Sequence, residues 1–205
     1  MDSIIFDLDG TLWNSIGTVT VAWNEVIKRS KYVKKEVTER DFEQTMGLPF
    51  QEIAQKLFPE LDEQKQKQIL AECCEVENAY LEKSGGLLYP QVERTLKELS
   101  KKYKLYIVSN CQEGYIEAFY NYHKLDAHFI DFENPGRTGL SKGENIKLII
   151  ERNNLKEPVY VGDTQGDYEA ARYADIPFVY ASYGFGKVDD PDYTIGAFKE
   201  LNELF

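Results

Sequence analysis

Three short runs of apolar residues, Ile4-Ile5-Phe6, Leu105-Tyr106-Ile107-Val108 and Val159-Tyr160-Val161, each stop at a small or acidic polar residue. Continuous rather than alternating apolarity marks strands buried on both faces, as parallel strands are. Phe178-Val179-Tyr180 reads as a further strand. Helical periodicity fills the spaces between and after them, over Val92 to Tyr103, Tyr115 to Tyr122, Glu144 to Asn153 and Tyr168 to Ala174. The alternation predicts an α/β fold built on a doubly wound parallel sheet.

The stretch from Asn14 to Gly86 breaks this rhythm: it holds no convincing strand and several amphipathic segments. Ile69, Cys73, Val76 and Tyr80 recur at steps of three or four, as do Ile53, Leu57 and the adjacent Ala54 and Phe58. A parallel crossover needs about a dozen residues, and the helix before Leu105 already supplies them, so the earlier segment is surplus to the sheet. It is read as an all-helical cap, residues 14–86, inserted into a core made of residues 1–13 and 87–205. Ser15-Ile16-Gly17 and Ser84-Gly85-Gly86 are expected to act as hinges. An insert leaving just after strand one hangs over the C-terminal edge of the sheet, where open α/β sheets bind ligands.

Composition adds limits. The 205 residues, 42% hydrophobic and 29% charged, suit one large domain with a smaller insert. A net charge of −11 argues against nucleic-acid and anionic-membrane partners, and means that any phosphate site needs a local cation. Cys73, Cys74 and Cys111 show no zinc or disulfide spacing, and no signal-peptide pattern opens the chain, so a cytoplasmic protein is expected. Nothing in the pattern forces association, and a monomer is expected.

The candidate chemistry sits where the strands end. Asp7-Leu8-Asp9-Gly10-Thr11 follows the first strand, and a turn at Gly10 lets both carboxylates serve one site. Ser109-Asn110 closes the second, although both residue types also cap helices. Lys142, one residue after the expected N-cap Ser141, opposes the helix dipole by about 0.3–1 kcal/mol unless something negative faces it. Gly162-Asp163-Thr164-Gln165-Gly166-Asp167 follows the third strand. In this topology Asp7, Asp9, Asp163 and Asp167 are expected to converge. Two bare carboxylates about 4 Å apart repel by roughly 4 kcal/mol at an effective dielectric near 20, so a cation is required. Oxygen ligands without histidine or thiolate select Mg²⁺.

In order along the chain, DLDGT at Asp7 to Thr11, Ser109, Lys142 and GDTxxD at Asp163 to Asp167 resemble the four motifs of the haloacid dehalogenase-like hydrolases. The helical insert and the segment Ala170 to Gly186, with its Tyr183-Gly184-Phe185-Gly186, resemble the phosphoglycolate phosphatase-like subgroup. The resemblance implies a Rossmann-like core and a Mg²⁺-dependent phosphatase acting on a small phosphorylated metabolite. Asp7 would be the nucleophile, carried through an aspartyl-phosphate, and Asp9 the general acid and base. Ser109 and Lys142 would hold the phosphoryl oxygens, with Gly10 and Asn110 as weaker phosphate contacts. Mg²⁺ would be held by Asp7, the Asp9 backbone carbonyl and Asp163. Asp167 would support the metal through water or orient Lys142.

Two departures from the pattern bear on the reading. Asn14 stands where the family often has aspartate, away from the chemistry. Phe50, in Met46-Gly47-Leu48-Pro49-Phe50, stands where beta-phosphoglucomutases present an arginine, which counts against a phosphomutase. The remaining alternatives are a phosphomutase despite Phe50, a dehalogenase, and a non-catalytic module phosphorylated on Asp7. The cap aromatics Trp13, Trp23 and Phe50 either line a pocket or fill a core, and the substrate itself is not legible.

Overall fold

The computed structural model describes residues 1–205. In chain order the strands are β1 (Ser3–Phe6), β2 (Trp13–Asn14), β3 (Leu87–Leu88), β4 (Lys104–Val108), β5 (Asp131–Glu133), β6 (Pro158–Gly162), β7 (Phe178–Ala181) and β8 (Tyr193–Ile195). The α-helices are α1 (Ile16–Arg29), α2 (Glu39–Glu43), α3 (Phe50–Leu57), α4 (Glu63–Ser84), α5 (Val92–Leu99), α6 (Tyr115–His123), α7 (Pro135–Thr138), α8 (Lys142–Asn153), α9 (Gln165–Tyr173) and α10 (Leu201–Leu204).

Six strands form one parallel sheet in the order β5-β4-β1-β6-β7-β8, with Ile4 opposite both Leu105 and Val159. The strand runs are apolar throughout because both faces are covered. Ile4, Phe6, Leu105, Ile107, Val159 and Val161 join one buried cluster with residues of α1, α5 and α6. Ile5, Tyr106, Val108 and Tyr160 join another against Ile146 and Ile149 of α8 and Ala170 and Ala171 of α9. This alternation of side chains between two helix-covered faces is the doubly wound, Rossmann-like α/β arrangement.

Between β1 and the next strand of this sheet, all regular structure other than β2 and β3 is helical. In α1, Ile16, Val19, Trp23, Val26 and Ile27 are buried, one stripe at helical spacing. In α4 the stripe is Ile69, Leu70, Cys73, Glu77 and Leu81. The expected register through Val76 and Tyr80 is therefore one residue off in the second half of α4, where these two are only partly buried. Asp62 starts α4 by accepting from the Lys65 N–H, and Gly85, at φ 63°, ends it.

The root of this helical insert is tied down. β2 and β3 pair antiparallel, Trp13 with Leu88, and the Thr18 hydroxyl donates to the Gly85 carbonyl at 2.6 Å. Trp13 is fully buried and packs edge-on against Tyr115 and Phe119, so of the three aromatics in question it is core filler. Ser15, expected in a hinge, is itself fully buried.

Candidate active site

β1, β4 and β6 lie together at the middle of the sheet, and their C-terminal ends release Asp7, Ser109 and Asp163 on one edge. The strand order reverses direction here, which opens a crevice above the strand ends. Asp7 is 2% exposed and continues the β1 ladder by donating its N–H to the Val161 carbonyl at 2.8 Å.

Lys142 is the first residue of α8, behind a capping box formed by Ser141 and Glu144. Its buried ammonium lies 3.0 Å from Asp7 Oδ1 and 2.6 Å from Asp167 Oδ1. Those two carboxylates are what offsets the unfavourable helix dipole. Burial works against the Lys142 charge, but Asp167 and Asp7 outweigh it and hold the pKa above the ordinary lysine range.

Asp167 has two structural duties. Its Oδ2 accepts from the Asp163 N–H (3.2 Å), the Thr164 N–H (2.9 Å) and the Thr164 hydroxyl (2.7 Å), closing the capping box of α9. Its Oδ1 anchors Lys142. Helix capping and lysine orientation thus coincide in one side chain.

Asp163 is fully buried. Its Oδ2 accepts from the Phe185 N–H at 2.7 Å, and its Oδ1 has no hydrogen-bond partner. Asp7 Oδ1 has the Lys142 ammonium 3.0 Å away and no other partner. Buried carboxylate oxygens without partners are expensive. One oxygen each from Asp7, Asp163 and Asp167 all lie within 4.8 Å of one another. A hard divalent cation is the ligand that such an all-oxygen donor set fits. Burial and then the neighbouring carboxylates hold Asp7 and Asp163 above the usual range, and a bound cation would reverse that shift.

The expected convergence of four carboxylates is corrected to three, since the Asp9 side chain lies outside this cluster. The reason is local. After Asp7 the chain leaves the strand, with Leu8 O accepting from the N–H groups of Thr11, Leu12 and Trp13, and Asp9 is drawn towards the insert. The Ser15 hydroxyl donates to Asp9 Oδ1 at 2.5 Å, and the Tyr115 hydroxyl lies 3.0 Å from that oxygen and 2.9 Å from Ser15 Oγ. Burial pushes the Asp9 carboxyl up to about 6 against these bonds. Asp7 and Asp9 still line one pocket.

Gly10 and Asn110, expected as weaker phosphate contacts, make structural contacts of their own. Gly10, at φ 79°, passes so close to Asp163 that a Cβ there would lie 2.2 Å from its carboxylate. It makes room for the cluster. The Asn110 amide donates to the Gly47 carbonyl of the insert at 2.9 Å, joining the end of β4 to the loop before α3. Ser109 stays buried beside Asp7, where its hydroxyl favours the ionised carboxylate.

Above Asp7 and Asp9 the insert walls a cavity of ≈ 50 Å³, with Val19, Trp23, Phe42, Met46, Phe50 and Ile53 as its apolar side. Trp23 and Phe50 therefore line a pocket, and Trp23 also packs against Phe42 and Phe58. Glu77 stands in the same cavity, 5% exposed, accepting from Trp23 Nε1 and, at 3.1 Å, from Gln112 Nε2. Sequence reasoning missed Glu77, Tyr115 and Ser15. The available signal for Glu77 was a lone acid within the apolar stripe of α4.

Burial pushes the Glu77 carboxyl from 4.5 up to about 7, with Trp23 and Gln112 pulling the other way and the nearby Asp9 adding to the rise. Burial also keeps the facing Cys73, Cys74 and Tyr115 groups protonated through this range. Between those two pH values the folded state keeps a proton that the unfolded state has lost, so the contribution of Glu77 to stability falls as pH rises and levels off above 7. Glu77→Gln cannot titrate. In urea unfolding under EDTA, the stability difference between variant and wild type should move in favour of Gln by on the order of 2–3 kcal/mol from pH 5 to pH 8. A difference independent of pH would show that Glu77 ionises as an exposed glutamate does.

The comparisons with known proteins fit this geometry. The chain resembles a phosphoglycolate phosphatase from Vibrio parahaemolyticus, at 25% identity over 98% of this chain and 94% of that protein. It resembles another from Synechococcus elongatus, at 30% identity over 90% and 85%. Its fold superposes with a TM-score of 0.87 on a haloacid dehalogenase-like family hydrolase from Streptococcus pneumoniae, at 22% identity over 100% of this chain and 98% of that one. Residues 4–181 match the haloacid dehalogenase-like hydrolase family, to which the chain therefore belongs as a phosphoglycolate phosphatase-like phosphatase.

Proposed function

We propose that this phosphatase hydrolyses a small phosphate monoester with Mg²⁺ as its cofactor and Asp7 as the covalent carrier of the phosphoryl group. Residues 14–86 serve as the cap over a core of residues 1–13 and 87–205. The observation that carries the reading is the buried Asp7 carboxylate, 3.0 Å from Lys142 and clustered with Asp163 and Asp167, with Asp9 standing outside the cluster in the same pocket.

An Asp7 oxygen attacks phosphorus, and the ester oxygen leaves with the proton of Asp9, whose raised pKa of about 6 suits a group that must give and regain a proton near neutrality. Asp9 then takes a proton from water as that water attacks the same phosphorus, releasing inorganic phosphate and restoring Asp7. Lys142 and Ser109 hold the phosphoryl oxygens and stabilise the charge that gathers on them. Mg²⁺, held by the Asp7 and Asp163 carboxylates and the Asp9 backbone carbonyl, would supply Lewis-acid polarisation of the phosphoryl group. Asp167 supports the site by orienting Lys142. The relatives' name makes phosphoglycolate the first ester to assay, and the apolar Phe50 in the pocket wall favours hydrolysis over return of phosphate to a sugar.

The test is phosphate release from p-nitrophenyl phosphate and from a panel of esters. Activity should require Mg²⁺ and vanish in EDTA. Asp9→Ala should lower kcat about 10² to 10⁴-fold, the usual contribution of a positioned acid and base. Full turnover in EDTA would remove the metal from the account, and an Asp9→Ala enzyme at wild-type rate would remove the acid.

A further inference from the structure

Glu77, Thr45 and Tyr115, all buried, and the half-buried Gln112 bring polar groups to the roof and wall of the cavity. No arginine, lysine or histidine lines it. Lys142 is not part of its lining and pairs with Asp7 and Asp167 at the phosphoryl end of the site. Glu77 is held rigidly, one donor on each oxygen: Trp23 Nε1 on Oε2 and Gln112 Nε2 on Oε1. Gln112 Nε2 is itself shared with Asn78 Oδ1 at 2.9 Å. A carboxylate oxygen accepting one bond keeps a free lone pair, so Glu77 offers acceptor capacity to whatever fills the cavity.

From this geometry we infer that Glu77 is a specificity determinant, selecting an ester whose leaving group carries a hydrogen-bond donor, hydroxyl or ammonium, and rejecting one that carries a carboxylate. The inference rests on the phosphatase reading above and departs from the substrate named for the relatives. A substrate carboxylate would meet a fixed acid and no cation, and like charges brought together in a site are a means of rejecting the wrong ligand. A donor would meet an oriented acceptor, and sites built to hydrogen-bond a substrate group reject analogues lacking it. The cavity, ≈ 50 Å³, has room for a few water molecules, which suits a short leaving group.

The experiment measures kcat/KM of the full chain at pH 8 with Mg²⁺ for glycerol 3-phosphate, ethanolamine phosphate and phosphoglycolate, with p-nitrophenyl phosphate as reference. At least one of the first two should exceed phosphoglycolate by about 100-fold or more, and which one leads assigns hydroxyl or ammonium as the donor. Glu77→Gln should narrow that ratio by about tenfold or more, chiefly through KM. Phosphoglycolate as the best substrate of the wild type overturns the inference, as does an unchanged ratio in a Glu77→Gln protein that still melts cooperatively. The wild-type ratio decides the matter even if the variant does not fold. Turnover of p-nitrophenyl phosphate without preference among the other esters sinks the specificity claim alone. Turnover of none of the four sinks the phosphatase reading and the specificity claim together.

Discussion

Asp7→Asn is expected to reduce phosphate release by at least about 10⁴-fold while leaving the fold intact, because the amide keeps the carboxylate's shape and loses its nucleophilic oxygen. The neighbouring groups sharpen this expectation. Lys142 keeps its shorter ion pair, 2.6 Å to Asp167, when Asp7 loses its charge. Asp7 is also a carboxylate whose ionised form burial and Asp167 disfavour, so neutralising it relieves repulsion in the metal-free protein. Melting temperature in EDTA should therefore hold or rise, and the gain on adding Mg²⁺ should shrink, since one anionic ligand is gone. Loss of activity together with loss of cooperative melting would trace the effect to unfolding. A variant that released phosphate within tenfold of the wild-type rate would remove Asp7 from the role of nucleophile.

How far the sequence reached can be argued from particular elements. β1, β4 and β6 were legible because both of their faces are buried, which leaves unbroken apolar runs whose next residue falls at the binding edge. β5 and β8 were not. Asp131-Phe132-Glu133 and Tyr193-Thr194-Ile195 are edge strands of three residues, too short to show a pattern, and β5 is held by Arg152 donating to Asp131 at 2.9 Å and Glu133 at 2.7 Å. No periodicity announces a strand secured by a salt bridge from a distant helix. The same limit hid half of the pocket. Trp23 and Gln112 reach Glu77 across 54 and 35 residues of chain, and Tyr115 reaches Asp9 across 106. Local patterns show that α4 has a buried stripe, but not what a lone acid within it faces. Proximity in the motif also misled for Asp9. Spacing brought it to the site, but only the hydroxyls of Ser15 and Tyr115 decide that its side chain turns away from the three clustered carboxylates.

Lys142→Met should be the most destabilising single change at the site, at about 3–5 kcal/mol in EDTA, since removing one member of a buried ion-pair group leaves the others unpaired. The side chain is 5% exposed and is replaced by one of similar length, so little packing is lost. What is lost is the positive charge between Asp7 and Asp167, in a cluster that also holds Asp163. The three carboxylates then face one another with no counterion, and their mutual repulsion is of the same order as the predicted loss. Two consequences separate this account from a plain packing defect. Mg²⁺ should restore part of the stability, by about 2.7 kcal/mol at a hundred times its Kd, because the cation takes up the charge that lysine left. Lowering the pH should also narrow the deficit, since the clustered carboxyls, already pushed up by burial, take protons more readily once Lys142 no longer favours their ionised form. Activity should fall by a further 10² to 10³-fold or so even in saturating Mg²⁺, the range for losing one preorganised charge at the transferring group. Thermal and urea unfolding with and without Mg²⁺, at pH 5 and pH 8, measure all of this. A deficit blind to both metal and pH would mean that Lys142 fills space at the head of α8 and that the three carboxylates are kept apart by something other than charge.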